Sequence, residues 1–164
     1  MIGELMQRLA QVTESRATFT EVKTVAALTV PLRATGELFY RRPDYFEKTT
    51  TQPRRETLVV EGDRLTISTD DEKPRGVDLD SQPMVRGLVD AIRGTLAGRL
   101  ALLQRIYRVE MEGDLAGWRL TLIPTDPAVE RVVSRIVIEG SQASLQRIHT
   151  IQANGDESRM TISQ

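Results

Sequence analysis

The chain is 164 residues long, enough for one domain with a sizeable core, and no linker, repeat or low-complexity tract divides it. Its 22 basic and 23 acidic residues leave a net charge of −1, which removes the electrostatic drive for general nucleic-acid binding. With no cysteine and one histidine, it cannot form disulfides or thiolate metal sites and is poor in the commonest general base and metal ligand.

Ile2, Leu5, Met6 and Leu9 recur at the spacing of an amphipathic helix. No segment approaches the run of about 20 apolar residues that a membrane span needs, and no charged-then-apolar leader is visible. From about Ala17 to Asp80 the text is strand-like, rich in Thr and Val. Turn residues punctuate it at Val30-Pro31, Arg42-Pro43, Gln52-Pro53, Glu61-Gly62-Asp63 and Asp70-Asp71-Glu72. Leu65 and Ile67 alternate with Thr66 and Ser68, giving one dry face and one wet face. Leu58 and Val60 alternate less cleanly because Val59 is also apolar.

Within this region Arg42 shares the parity of Leu38 and Tyr40, so on an unbroken strand it points where they point. On a dry face its guanidinium needs several acceptors, which the last carbonyls of a helix lying across the sheet would provide. The plainer reading is a surface arginine at a frayed strand end. Arg41 has the opposite parity and should face solvent; Arg54 and Arg55 follow Pro53 in a turn and read as surface charge.

The centre changes period. Val85, Leu88, Val89, Ile92 and Leu96 share one helical face, Pro83 suits the start and Gly98 the stop. A second short helix should carry Leu100, Leu103 and Tyr107. Gly87, Gly94 and Gly98 leave two readings: a loosened helix able to act as a lid, or close packing of that helix onto a sheet. Strands then resume, with Trp118, Leu120 and Leu122, then Ile136 and Ile138, then Met160 and Ile162 each alternating with polar or outward residues. Between them Asp126-Pro127 should cap a short helix bearing Val129, Val132 and Val133.

Ten or eleven short antiparallel strands are more than an open sheet holds without curling. The predicted fold is therefore mainly β (α+β): an unclosed antiparallel half-barrel over residues 1–164, with helices covering the concave hydrophobic face.

The chain has no G-x-S-x-G elbow, P-loop, H-E-x-x-H or G-x-G-x-x-G fingerprint. Asp70, Asp71, Glu72, Asp78 and Asp80 lack the spacing and fixed glycine of a calcium loop and read as a solvated hairpin tip. His149 shares parity with Leu145 and Ile151 and reads as a sheet histidine. The expectation is no catalysis, no metal and no cofactor.

One stretch resembles a known family. Gly36-x-Leu38-x-x-x-Arg42-Pro43-x-x-Phe46, continuing to Gln52-Pro53 and Leu58-Val59-x-Glu61-Gly62-x-x-Leu65, is similar to the signature of LolA, the periplasmic carrier of outer-membrane lipoproteins. The resemblance implies a half-barrel with a helical lid over a hydrophobic cavity, and it implies that Arg42 is the latch that hydrogen-bonds lid carbonyls. Phe46 matches the motif phenylalanine near the cavity mouth. Shared parity and the helical stripe give the expected cavity wall: Leu38, Tyr40, Leu58, Val60, Leu65, Ile67, Trp118, Leu120, Leu122, Ile136 and Ile138, with Leu88, Val89, Ile92, Leu96, Leu100 and Leu103 on the lid side.

The resemblance further implies a monomeric periplasmic carrier of lipoprotein or lipid cargo, with an inner-membrane exporter as donor and an outer-membrane acceptor. The sequence ends at Gln164, whereas LolA proteins continue into a loop and an extra strand that helps keep the loaded carrier off membranes. Aromatic residues are only 4%, so the cavity should be aliphatic. These departures point toward a LolA-like subgroup whose cargo is a different lipid or a polyene-type product. The absence of cysteine separates the chain from LolB, the receptor of the same fold that is itself a lipoprotein. From another class stands a non-catalytic interaction or sensor domain whose cavity is filled by its own side chains.

Overall fold

A computed structural model describes residues 1–164. The chain opens with helix α1 (Ile2–Ala10), whose Leu5, Met6 and Leu9 are buried as the spacing predicts. Six strands follow: β1 (Glu14–Thr24), β2 (Leu32–Arg41), β3 (Tyr45–Gln52), β4 (Glu56–Glu61), β5 (Arg64–Thr69) and β6 (Arg75–Asp78). A single 3-10 turn (Leu79–Ser81) leads into α2 (Pro83–Leu96), and α3 (Leu100–Ile106) follows. The second half comprises β7 (Tyr107–Asp114), β8 (Gly117–Pro124), α4 (Pro127–Glu130), β9 (Val133–Ser141), β10 (Ser144–Gln152) and β11 (Glu157–Ser163).

All eleven strands form one sheet in the order β6-β5-β4-β3-β2-β1-β11-β10-β9-β8-β7. Every pairing is antiparallel, and β6 and β7 are free edges, so the sheet is unclosed. The non-sequential pairing is that of β1 with β11, which places the first strand at the centre, Phe19 opposite Ile162. Successive strands thus curl around α1, α2 and α3 rather than stacking as two sheets.

Two apolar clusters fill the concave side. The larger joins Leu5, Met6 and Leu9 of α1 and Leu103 and Ile106 of α3 to Trp118, Leu120, Leu122, Ile136 and Ile138 of the second-half strands. The smaller joins Val60, Leu65 and Leu79 to Val89 of α2, with Leu58, Ile67 and Val85 packed against it. Helix α2 spans both, and none of its fourteen residues is fully exposed.

Several local signals act as the sequence suggests. Asp126 Oδ1 accepts from the backbone N–H of Ala128 at 2.9 Å, capping α4, and Pro127 occupies its first turn. Gly98 ends the α2 region at φ +65°, a left-handed conformation open to glycine. A Cβ there would also meet the Met6 carbonyl and the Ala10 backbone of α1.

Three expectations need correction. Tyr107 is the first residue of β7, not part of α3, and of the three valines expected on α4 only Val129 lies there, Val132 falling in the turn and Val133 opening β9. α3 runs directly into β7, whereas a two-residue turn separates α4 from β9. His149 does not share a face with Leu145. A register shift between Leu145 and Arg147 resets the alternation, so Ile148 and Thr150 are buried and His149 stands on the outer face beside Glu157, 3.1 Å away.

Candidate functional site

The site lies under α2, at the sheet rim formed by the β2–β3 turn, the β4–β5 turn and the 3-10 turn. Close packing rather than looseness explains the helix glycines. A Cβ on Gly87 would lie 2.8 Å from Val129 Cγ1 and 2.9 Å from the Tyr107 hydroxyl, and one on Gly94 would lie 2.7 Å from Leu103 Cδ2. The Tyr107 hydroxyl donates to the Gly87 carbonyl at 2.6 Å. Burial, with Asp90 and Asp126 adding to it, pushes that phenol far above its ordinary range and keeps it a donor.

The polar face of α2 carries an ionic strap. Arg93 is only 6% exposed, yet its Nη1 donates to the carbonyls of Asp44 (2.9 Å) and Gly62 (2.7 Å), and its Nη2 to Asp90 Oδ1 (2.8 Å). Asp90, 2% exposed, accepts from Arg86 Nε at 2.9 Å through its other oxygen. Arg86 reaches on to Asp80 at 2.8 Å and Asp63 at 3.2 Å. Burial alone would lower the Arg86 pKa, but these three carboxylates outweigh it and hold it above the usual arginine value. A planar guanidinium bridging two carbonyls and a carboxylate is a geometry lysine cannot copy. The strap therefore fastens the helix to two hairpin turns.

The latch predicted at Arg42 is not found there. β2 ends at Arg41, and Arg42 belongs to the turn, so the strand parity shared by Leu38 and Tyr40 lapses just before it. Its side chain is exposed and makes no hydrogen bond; only its backbone N–H is fixed, to the Thr13 carbonyl at 2.9 Å. The arginine that binds carbonyls is Arg93, and the polarity is reversed: the helix supplies the guanidinium and the sheet rim supplies the acceptors. A buried Arg beside Asp at i−3 was readable as a polar interruption of the α2 stripe, but nothing in the sequence names its acceptors.

Beneath the C-terminal half of α2 is an apolar cavity of about 40 Å³. Leu38, Tyr40, Phe46, Ile92 and Leu96, all expected at the site, line it, together with Leu145, Ile148 and Ile162, which were not. Apart from Ser15 and Gln164 every lining residue is apolar or aromatic. The other expected residues are packed rather than cavity-lining. Leu58, Val60, Leu65, Ile67 and Val89 belong to the smaller cluster; Leu88, Leu100, Leu103, Trp118, Leu120, Leu122, Ile136 and Ile138 belong to the larger one. The missed residues sit on β10 and β11, where the Met160/Ile162 alternation marks a dry face without indicating that it meets Leu38 across β1.

This arrangement defines a class: a curved open sheet with an apolar pocket closed by a strapped helix. The chain belongs to the family described as outer membrane lipoprotein carrier protein LolA-like, which matches residues 1–163. No curated protein matches the sequence. Among solved structures it is similar to a LolA superfamily protein from Nitrosomonas europaea at 12% identity and TM-score 0.55, covering 99% of this chain and 90% of that one. A DUF1329 family protein from Desulfovibrio piger aligns at 9% identity and TM-score 0.53, covering 99% and 88%. A candidate outer-membrane lipoprotein-sorting domain from Vibrio parahaemolyticus aligns at 10% identity and TM-score 0.52, covering 99% and 89%. At these identities the likeness is one of fold.

Proposed function

We propose that the protein is a periplasmic carrier that holds the acyl chain of a lipoprotein or another lipid under α2 and performs no chemistry on it. It would act as a monomer that receives cargo from an inner-membrane exporter and passes it to an outer-membrane acceptor. The observation that carries this reading is the apolar pocket bounded by a helix fastened at one polar strap. Each CH₂ withdrawn from water is worth about 0.8 kcal/mol, so a carrier needs apolar area and a movable cover, not a reactive group. The present cavity is far below the roughly 300 Å³ at which ligand pockets begin. Loading therefore requires α2 to lift from the sheet.

That small volume also favours a second reading, an interaction domain whose half-barrel is permanently filled by its own core. Native mass spectrometry of the delipidated protein separates the two. The carrier reading expects a one-to-one complex with oleate or with a triacylated lipopeptide, and the better of the two tells lipid from lipoprotein cargo. A spectrum with neither complex, at lipid concentrations where an ordinary fatty-acid-binding protein is saturated, overturns the carrier reading and leaves the interaction domain.

A further inference from the structure

Tyr40 is 1% exposed and lines the pocket, yet its hydroxyl is buried without any hydrogen-bond partner. A phenylalanine would fill the same space without that cost, and Tyr107 shows that this fold can satisfy a buried phenol when it has one. Two uncommitted arginines leave the chain close to lining residues of the pocket, Arg42 just after Tyr40 and Arg99 just after Leu96. Arg42 and Arg99 are both exposed, and neither enters an ion pair or a side-chain hydrogen bond. The end of α1 draws them together: the Arg42 N–H is held by Thr13, and Gly98, next to Arg99, seats against Met6 and Ala10. Ser15, the residue paired with Tyr40 across the strands, lines the same mouth. The nearby carboxylate of Asp44 lies beside Gly62.

Resting on the carrier reading above, we propose that the pocket's cargo ends in an oxyanion, a single-chain fatty carboxylate or alkyl phosphate, whose head accepts a hydrogen bond from the Tyr40 hydroxyl between Arg42 and Arg99. The chain runs over Leu38, Phe46, Ile92 and Leu96 toward Ile148 and Ile162. Burial raises the Tyr40 phenol above its ordinary range, with Asp44 adding to the rise and Arg42 and Arg99 opposing it, so the hydroxyl remains a donor at neutral pH. A hydroxyl donating to a charged oxygen makes one of the stronger hydrogen bonds, and an ester or methyl end offers no charge to receive it.

The test is displacement of a neutral naphthylamine probe by oleate, oleyl phosphate and methyl oleate. Wild type should prefer at least one of the two anions over methyl oleate by about tenfold or more. Tyr40→Phe and Arg99→Gln should each cut that preference, read as the ratio of anion to methyl oleate affinity in the same variant, several-fold. Arg41→Gln, whose guanidinium stacks on the Tyr45 ring 4.5 Å away, should preserve it. Whichever anion binds more tightly identifies the head group as carboxylate or phosphate. Equal displacement by acid and ester, or a preference that survives Tyr40→Phe, overturns the head-group site but leaves the carrier intact. Failure of all three lipids to displace the probe overturns both.

Discussion

Arg93 is the residue that fastens α2 to the sheet rim. Three acceptors converge on a guanidinium from which water is excluded, and two of them are main-chain carbonyls that have no other means of reaching α2. Arg93→Leu leaves Asp90 paired with Arg86, so the loss falls at the lower end of the range for breaking a buried pair, about 3 kcal/mol. At this chain length that corresponds to a melting temperature lower by roughly 6–12 °C. Arg42→Leu, which removes an exposed side chain, should stay within about 0.5 kcal/mol of wild type. Thermal unfolding of the two variants checks this, and a larger drop for Arg42→Leu would restore the latch to that residue. The sequence made the doublet Arg41-Arg42 conspicuous because strand parity extends visibly from Leu38. The Arg42-Pro43 pair already signalled a turn, but it did not fix whether the strand's last residue is Arg41 or Arg42, and that single residue decides whether Arg42 shares the face of Leu38 and Tyr40.

Between elements, two contacts decide how the sheet and α2 are held. The first is Glu21 on β1, 6% exposed, which accepts from Lys48 Nζ on β3 at 3.2 Å and from Ser158 on β11 at 2.6 Å. It ties three strands across the concave face where Gly36 gives way to the Phe19 ring. Burial raises its pKa, but Lys48 and Ser158 outweigh burial and bring it below the usual 4.5. A carboxyl depressed in the folded state stabilises above its unfolded value and loses that contribution as pH falls through the folded one. Glu21→Gln should therefore melt lower than wild type at pH 7, and the gap should close below about pH 4.5; a pH-independent gap contradicts the assignment.

The second contact is the seat of Gly87. Alanine there gains up to about 1 kcal/mol of helix propensity but drives a Cβ into Val129 and Tyr107, an overpacking cost of about 1–3 kcal/mol. A lowered melting temperature for Gly87→Ala supports close seating; a raised one would favour a loose lid. The strand alternations, the α2 stripe and the Asp126 cap were legible because each depends on neighbours in sequence. The His149 face was not, because the β10 bulge that displaces it is a property of the pairing with β9.

At the scale of the whole molecule, the half-barrel follows from chain economy. Eleven strands curl because they are too many for a flat sheet, and the β1–β11 pairing brings the dry faces of both halves onto one pocket. The sequence supplied the strands and their dry faces, but it could not say which dry residues would face a void and which would face each other. That division depends on α1, α2 and α3 filling most of the concave side. On the proposed carrier reading, α2 covers an acyl-chain pocket and must leave the sheet to admit cargo. Hydrogen exchange followed by mass spectrometry, on delipidated protein and on protein saturated with oleate, tests it most directly. Loading should speed exchange in the segment covering residues 83–96, while β8 and β9 remain as protected as before. Unchanged exchange across 83–96 in protein shown to carry oleate would contradict the claim.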